Sequence, residues 1–179
     1  SGKSLAYLLP VLSALLEDEK ATALYLSPTK ALATDQLRAV RALNLTQVRA
    51  ATFDGDTSFE DRDWVRRFGS YVLTNPDMLH RSLLPGHARW SAFLGSLAYV
   101  VVDECHHYRG VFGSHVSHVL RRLRRICAAY GADPTFVLAS ATVAEPELAA
   151  RRLIGTDVEA VTDDASPRGE VALALWEPP

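Results

Sequence analysis

An α/β fold, with a parallel sheet covered by helices on both faces, is what the sequence predicts. Apolar strand-like runs alternate with amphipathic helical stretches along most of the chain. The most hydrophobic run, residues 97–102, reads as a strand buried on both faces. Several of these runs stop abruptly in polar clusters, and in such sheets ligands sit beyond the carboxyl ends of the strands.

In chain order, residues 3–17 read as a helix, with Pro10 expected to bend it or shift its packing. Residues 22–26 form a short β-rich run. Residues 30–43 are amphipathic, with Leu32, Leu37, Val40 and Leu43 near one face. Strands are expected at 48–53 and 71–74, after which Asn75 caps a helix that has Pro76 in its first turn. The strand at 97–102 ends in Asp103-Glu104. Val116, Val119, Leu120, Leu123, Ile126, Cys127 and Tyr130 then follow helical spacing. A strand at 135–139, a last helix at 146–154 and a strand at 158–161 complete the unit. Residues 162–169 have the Asp, Ser, Pro and Gly content of a linker, and 171–176 resemble a further strand. Residues 1–161 are thus expected to form one domain, with 162–179 leading into another.

Composition narrows the classes. Of 179 residues 48% are hydrophobic and 22% charged, which suits a globular domain and excludes a disordered one. The formal net charge of −2 excludes a polybasic tail but not a local basic face for nucleic acid. Apolar stretches fall well short of the ~20 residues that span a bilayer, so no membrane partner is expected. Two cysteines, Cys105 and Cys127, cannot build a disulfide framework and fit a reducing, cytoplasmic compartment. Lys3, Lys20 and Lys30 are the only lysines against a background of arginines, so a lysine at a special position stands out.

Five polar clusters carry the chemistry. Gly2-Lys3-Ser4 heads the first helix and matches the end of a phosphate-binding loop, where backbone N–H groups hold phosphates, the lysine reaches them and the hydroxyl ligates Mg²⁺. Asp103-Glu104-Cys105-His106 follows the buried strand. One carboxylate there can hold a metal-bound water and the other can accept a proton from a water attacking a γ-phosphate. Ser140-Ala141-Thr142 ends a third strand and can relay hydrogen bonds. Ser27-Pro28-Thr29-Lys30 and Thr74-Asn75-Pro76-Asp77 each precede a helix that could meet a nucleic-acid backbone. Each cluster alone is also an ordinary helix cap; the acidic pair and Gly2-Lys3-Ser4 together favour a nucleotide site.

Other features have plainer readings. Arg121, Arg122, Arg124 and Arg125 are expected to face solvent on their helix. His106, His107, His115 and His118 with Cys105 lack paired C-x-x-C spacing, which disfavours zinc. Trp64, Trp90 and Trp176 read as packing residues before stacking platforms for bases.

In this order the motifs resemble those of the first RecA-like domain of superfamily 2 helicases, the DEAD/DExH-box group of P-loop NTPases. Within that group Tyr108-Arg109-Gly110-Val111-Phe112-Gly113-Ser114-His115-Val116, and the tail from Ser166-Pro167-Arg168-Gly169 to Leu175-Trp176-Glu177-Pro178-Pro179, are similar to the YprA-like, DUF1998-associated DNA repair branch. The resemblance implies ATP and Mg²⁺ as cofactors. Gly2, Lys3 and Ser4 would bind phosphates, Ser4 and Asp103 the metal, and Glu104 would be the base. His106, Ser140 and Thr142 would couple hydrolysis to unwinding, and Thr29, Lys30, Gly55, Thr74 and Asp77 would lie along the nucleic acid. It also implies 3′ to 5′ movement on single-stranded DNA, with a second RecA-like domain of the same chain as partner. The stretch is expected to be a fragment of a longer enzyme and to hydrolyse ATP very poorly alone, because an arginine finger contributes roughly 10³–10⁵ in rate. An RNA helicase and an ATPase-inactive nucleic-acid-binding module are the alternatives.

Overall fold

The computed structural model describes residues 2–141, 143–163, 172 and 174–176. Thr142, most of the expected linker and part of the tail run lie outside the described residues. Among the described residues the sheet has five parallel strands. They are β1 (Thr22–Leu26), β2 (Ala50–Thr52), β3 (Tyr71–Thr74), β4 (Leu97–Val102) and β5 (Thr135–Leu138), in the spatial order β2-β3-β1-β4-β5. The central strand, β1, is buried at every residue, and β4 closes with three buried valines. β-Branched, wholly apolar runs suit a strand with helices on both sides.

Side-chain alternation along the strands divides the core in two. Ala23 and Tyr25 of β1, Tyr71 and Leu73 of β3 and Val101 of β4 face the layer formed by α1 (Lys3–Glu17) and α2 (Lys30–Ala42). Leu24, Leu26, Val72, Val100 and Val102 face the other way. There they meet Val65 of α3 (Phe59–Phe68), Phe93 and Leu94 of α5 (Ser91–Gly95) and Val116, Leu120 and Leu123 of α6 (Gly110–Ala129). A short α4 (Pro76–Met78) continues as a π-helical turn, Leu79–Leu83, and a 3₁₀ turn, His87–Trp90, precedes α5. Finally α7 (Pro146–Ile154) packs Leu153 and Ile154 into the same layer as α6.

Local chemistry sets the helix ends. Thr29, Ser58 and Asn75 accept hydrogen bonds from the backbone N–H of Leu32, Asp61 and Met78, capping α2, α3 and α4. Pro10 sits inside α1, which nevertheless runs unbroken from Lys3 to Glu17. The end of α7 explains the arginine-rich stretch: Arg121 donates to the Arg152 carbonyl at 3.0 Å, and Arg124 to those of Ile154 and Gly155 at 3.2 and 3.3 Å. Cations at a helix C-terminus satisfy orphan carbonyls and oppose its dipole. Arg121 and Arg124 therefore join α6 to α7, while Arg125 is exposed. Gly155, at φ 74°, provides the left-handed turn that ends α7.

The structure corrects several expectations. Residues 158–161 form no strand. Val158 packs against the core, Val161 is 92% exposed, and among the described residues no strand pairs with the run. Residues 172 and 174–176 carry no strand either. The strand expected at 48–53 shrinks to Ala50–Thr52, because the Val48 N–H bonds back to Leu45 in a turn. Trp90 is core, whereas Trp64 and Trp176 are exposed. No helix among the described residues is long and apolar enough to cross a membrane.

Leu120 lies under the sheet with no exposed surface. Leu120→Ala is expected to lower unfolding free energy by about 2–5 kcal/mol, measured by urea titration. An unchanged midpoint would contradict this packing.

Candidate active site

Parallel pairing continues one residue past the strands and levels their carboxyl ends. The N–H of Asp103 bonds the Leu26 carbonyl at 2.8 Å, that of Ser27 bonds Thr74 at 3.1 Å, and that of Ala139 bonds Val102 at 3.0 Å. Residues from β1, β3, β4 and β5 therefore emerge at one rim. Cys105 N–H, bonding the Ala139 carbonyl at 2.9 Å, folds the chain after β4 toward β5.

Here two distant motifs meet. Lys3 Nζ donates to the Ser140 carbonyl at 3.2 Å and stands 3.8 Å from Glu104 Oε1. Glu104 occupies the left-handed region at φ 48°, ψ 40°, a sparsely populated conformation for a residue with a Cβ and a common one at functional sites. Its other oxygen lies 3.2 Å from His106 Nδ1. That same nitrogen is 3.3 Å from the Ala141 N–H. Nδ1 of His106 thus stands between the acid of this turn and the backbone of the segment after β5.

Asp103 is the most constrained group at the rim. Its Oδ2 accepts from Tyr7 at 2.9 Å and from Tyr25 at 2.7 Å, and its Oδ1 accepts the Glu104 N–H at 2.8 Å. Burial is the main cause that pushes the Tyr7 phenol up to about 12, with the Ser4 hydrogen bond opposing and the Asp103 charge reinforcing. Burial, followed by the hydrogen bond to Asp103, pushes Tyr25 higher still. Both remain neutral donors across the physiological range.

The residues expected along a nucleic acid divide. Lys30 and Gly55 come together: a Cβ on Gly55 would stand 3.8 Å from Lys30 Nζ, and Lys30 pairs with Asp56 at 2.6 Å. That hydrogen bond raises the Lys30 ammonium above its ordinary range. Thr29 and Asp77 are exposed at the starts of α2 and α4. Thr74 is buried, and its hydroxyl donates to the Phe53 carbonyl, tying β3 to the segment before Gly55. Ser140 provides its carbonyl to Lys3, while Thr142 lies outside the described residues.

The chemistry of the donor set fits a magnesium–triphosphate. Unlike α2, α3 and α4, α1 begins with no side-chain cap, and its first turn holds no acidic residue, so negative charge is favoured at this helix end. Gly2 is exposed and has open space around its Cα, and the Lys3 side chain is 44% exposed and able to turn toward a phosphate. Ser4 lies one helical turn before Tyr7, whose hydroxyl bonds Asp103 at 2.9 Å. Glu104, His106 and His107 have donor atoms within 4.8 Å of one another, so of the His106, His107, His115, His118 and Cys105 set weighed in the sequence this grouping takes His106 and His107 and adds Glu104.

Sequence reasoning passed over Tyr7 and Tyr25. The available signal was a phenol interrupting an apolar helix face one turn after Lys3, and another one residue before the end of β1. It also passed over α3, though Ser58-x-x-Asp61 is a capping box and Ser58 Oγ binds Asp61.

A parallel sheet of this order, with Gly2-Lys3-Ser4 opening a helix beside an Asp103-Glu104-Cys105-His106 strand end, defines a RecA-like nucleotide-site architecture. A family model described as DEAD/DEAH box helicase matches residues 1–150, and the chain belongs to that family. It is 47% identical over 182 residues to the ATP-dependent helicase YprA of Bacillus subtilis, covering 100% of this chain and 24% of the relative. Against the ATP-dependent helicase HRQ1 of Saccharomyces cerevisiae it is 43% identical over 187 residues, covering 100% and 17%. The crystal structure of the DUF1998 helicase MrfA bound to DNA and AMPPNP matches with a TM-score of 0.90 at 48% identity, over 93% of this chain and 24% of that one.

The raised phenols set an alkaline limit on stability. Tyr7 and Tyr25 hold their protons in the fold after an unfolded tyrosine, near 10.0, has ionised. The buried Cys127 thiol, pushed up to about 11 from 9.0, acts the same way. Unfolding above about pH 9 therefore releases protons, and stability present below that pH falls as pH rises toward 12. Urea midpoints are expected to decline over this window, less steeply for Tyr25→Phe; equal slopes would contradict the assignment.

Proposed function

We propose that this chain is the first motor domain of a superfamily 2 DNA helicase, which couples ATP hydrolysis to 3′ to 5′ translocation and unwinding in DNA repair. The observation that carries the proposal is the approach of Lys3 to Glu104, 3.8 Å apart at the carboxyl end of β4. A phosphate-binding lysine and an acid able to serve as base are both needed where a γ-phosphate is attacked.

The proposed roles divide among the residues of this rim. Backbone N–H groups at the head of α1 and the Lys3 ammonium hold the phosphates. Ser4 and Asp103 would hold Mg²⁺, which when bound neutralises charge on the phosphate oxygens. Glu104 accepts the proton of the attacking water. His106, Ser140 and Thr142 are proposed to couple hydrolysis to unwinding, a role supported by the place of His106 between Glu104 and the Ala141 N–H. Thr29, Lys30, Gly55 and Asp77 line the rim offered to the nucleic acid, with Thr74 bracing it from below. DNA as the polymer is supported by the MrfA relative, solved bound to DNA. A second RecA-like domain is the proposed partner that completes the nucleotide site.

Glu104→Gln is expected to leave ATP affinity equal or tighter, since the competing Lys3 ion pair is lost, while lowering turnover by about 10²–10⁴-fold. Unchanged hydrolysis would remove Glu104 as the base. Lys3→Ala is expected to weaken ATP binding about tenfold or more by calorimetry, the scale of one hydrogen bond to a charged group. Strand displacement by the full-length protein on 3′- and 5′-tailed DNA and RNA duplexes tests polymer and polarity. ATP-dependent displacement of 3′-tailed DNA is expected; RNA-only displacement, or none, would overturn the proposal.

A further inference from the structure

We propose that Tyr7 and Tyr25 are positioning residues that aim the Asp103 carboxylate at the metal, an inference that rests on the nucleotide-site reading above. An ionised carboxylate offers about four lone-pair directions. Two on Oδ2 are taken by the phenols, at 2.9 and 2.7 Å, and one on Oδ1 by the Glu104 N–H at 2.8 Å. A single direction on Oδ1 remains. The group can neither rotate nor present its other oxygen without breaking two charge-assisted hydrogen bonds, which are the strong kind.

The two phenols are held in different elements. Tyr25 belongs to the central strand and Tyr7 to α1, and each is only 1% exposed. Their rings pack with centroids 6.0 Å apart. Tyr7 also lies one helical turn after Ser4, the other residue that would ligate the ion, while its hydroxyl bonds Asp103. Gln36 Oε1 lies farther off, at 3.4 Å, so the Tyr7 proton goes to the nearer carboxylate. The orientation of Asp103 is thus fixed by two phenols from two different elements.

A pair of tyrosines that merely filled the core would affect fold stability and nucleotide binding alike. Aiming the carboxylate affects only the part of binding that needs the metal. The test is calorimetry of a non-hydrolysable ATP analogue on the full-length protein, with excess Mg²⁺ and with EDTA. The unaltered protein is compared with Tyr7→Phe, Tyr25→Phe and the double variant, and melting temperatures without nucleotide are recorded alongside. Expected is an affinity in EDTA near that of the unaltered protein, with the gain on adding Mg²⁺ reduced about tenfold or more in the double variant. If the double variant does not fold, Tyr7→Phe, which keeps the Tyr25 bond, carries the test through a several-fold smaller Mg²⁺ gain. A Mg²⁺ gain equal to that of the unaltered protein, or affinity lost equally with and without Mg²⁺, would overturn the positioning role while leaving the nucleotide site standing. Failure of the unaltered protein to bind the analogue would remove the nucleotide site and the positioning role together.

Discussion

The pairing of β4 with β1 is the constraint on which the site depends. Its ladder runs past the last strand residue, with Asp103 N–H on the Leu26 carbonyl, and so fixes the height at which the acidic pair leaves the sheet. Because β1 is central and fully buried, that height is held by a ladder shielded on both sides. From the end of β4 the Asp103 carboxylate reaches Tyr25 on β1 and Tyr7 on α1. The helix bearing Lys3 is consequently registered against the strand bearing Glu104.

Rigidity and adjustability sit side by side at the rim. Asp103 receives three donors, two of them from the buried phenols of Tyr7 and Tyr25. One residue on, the left-handed Glu104 is reached by a 44% exposed lysine and by a histidine nitrogen that can serve either of two partners. A metal-holding group benefits from a fixed direction, whereas a group that takes up and returns a proton needs neighbours that exchange. The order of the elements supplies both, since Asp103 closes the β4 ladder and Glu104 opens the turn after it.

Much of this was legible in the sequence where a physical signal is continuous. The ends of α1, β1, β3, β4 and α7 match their periodicity to the residue, because each apolar run meets a charge, a Pro or a Gly. Gly2-Lys3-Ser4 and Asp103-Glu104 announced themselves as polar groups after apolar ones. The tyrosine bonds to Asp103 were invisible, since nothing in one dimension says that phenols of α1 and β1 face the same carboxylate. Helix α3 hid because Phe59, Trp64 and Phe68, its large apolar residues, are exposed, leaving only Val65 buried and no stripe to read. The overread strand at 158–161 shows the converse: β-branched residues without a neighbouring strand to pair with do not make one.

Convergence of the head of α1 and the end of β4 on a single triphosphate is the central claim. Its most direct test is a crystal structure of the protein grown with Mg²⁺ and a non-hydrolysable ATP analogue. Lys3 Nζ should leave Glu104 and the Ser140 carbonyl for phosphate oxygens, with the metal beside Ser4 and the free side of Asp103. An analogue bound elsewhere, with Lys3 still against Glu104, would contradict the account.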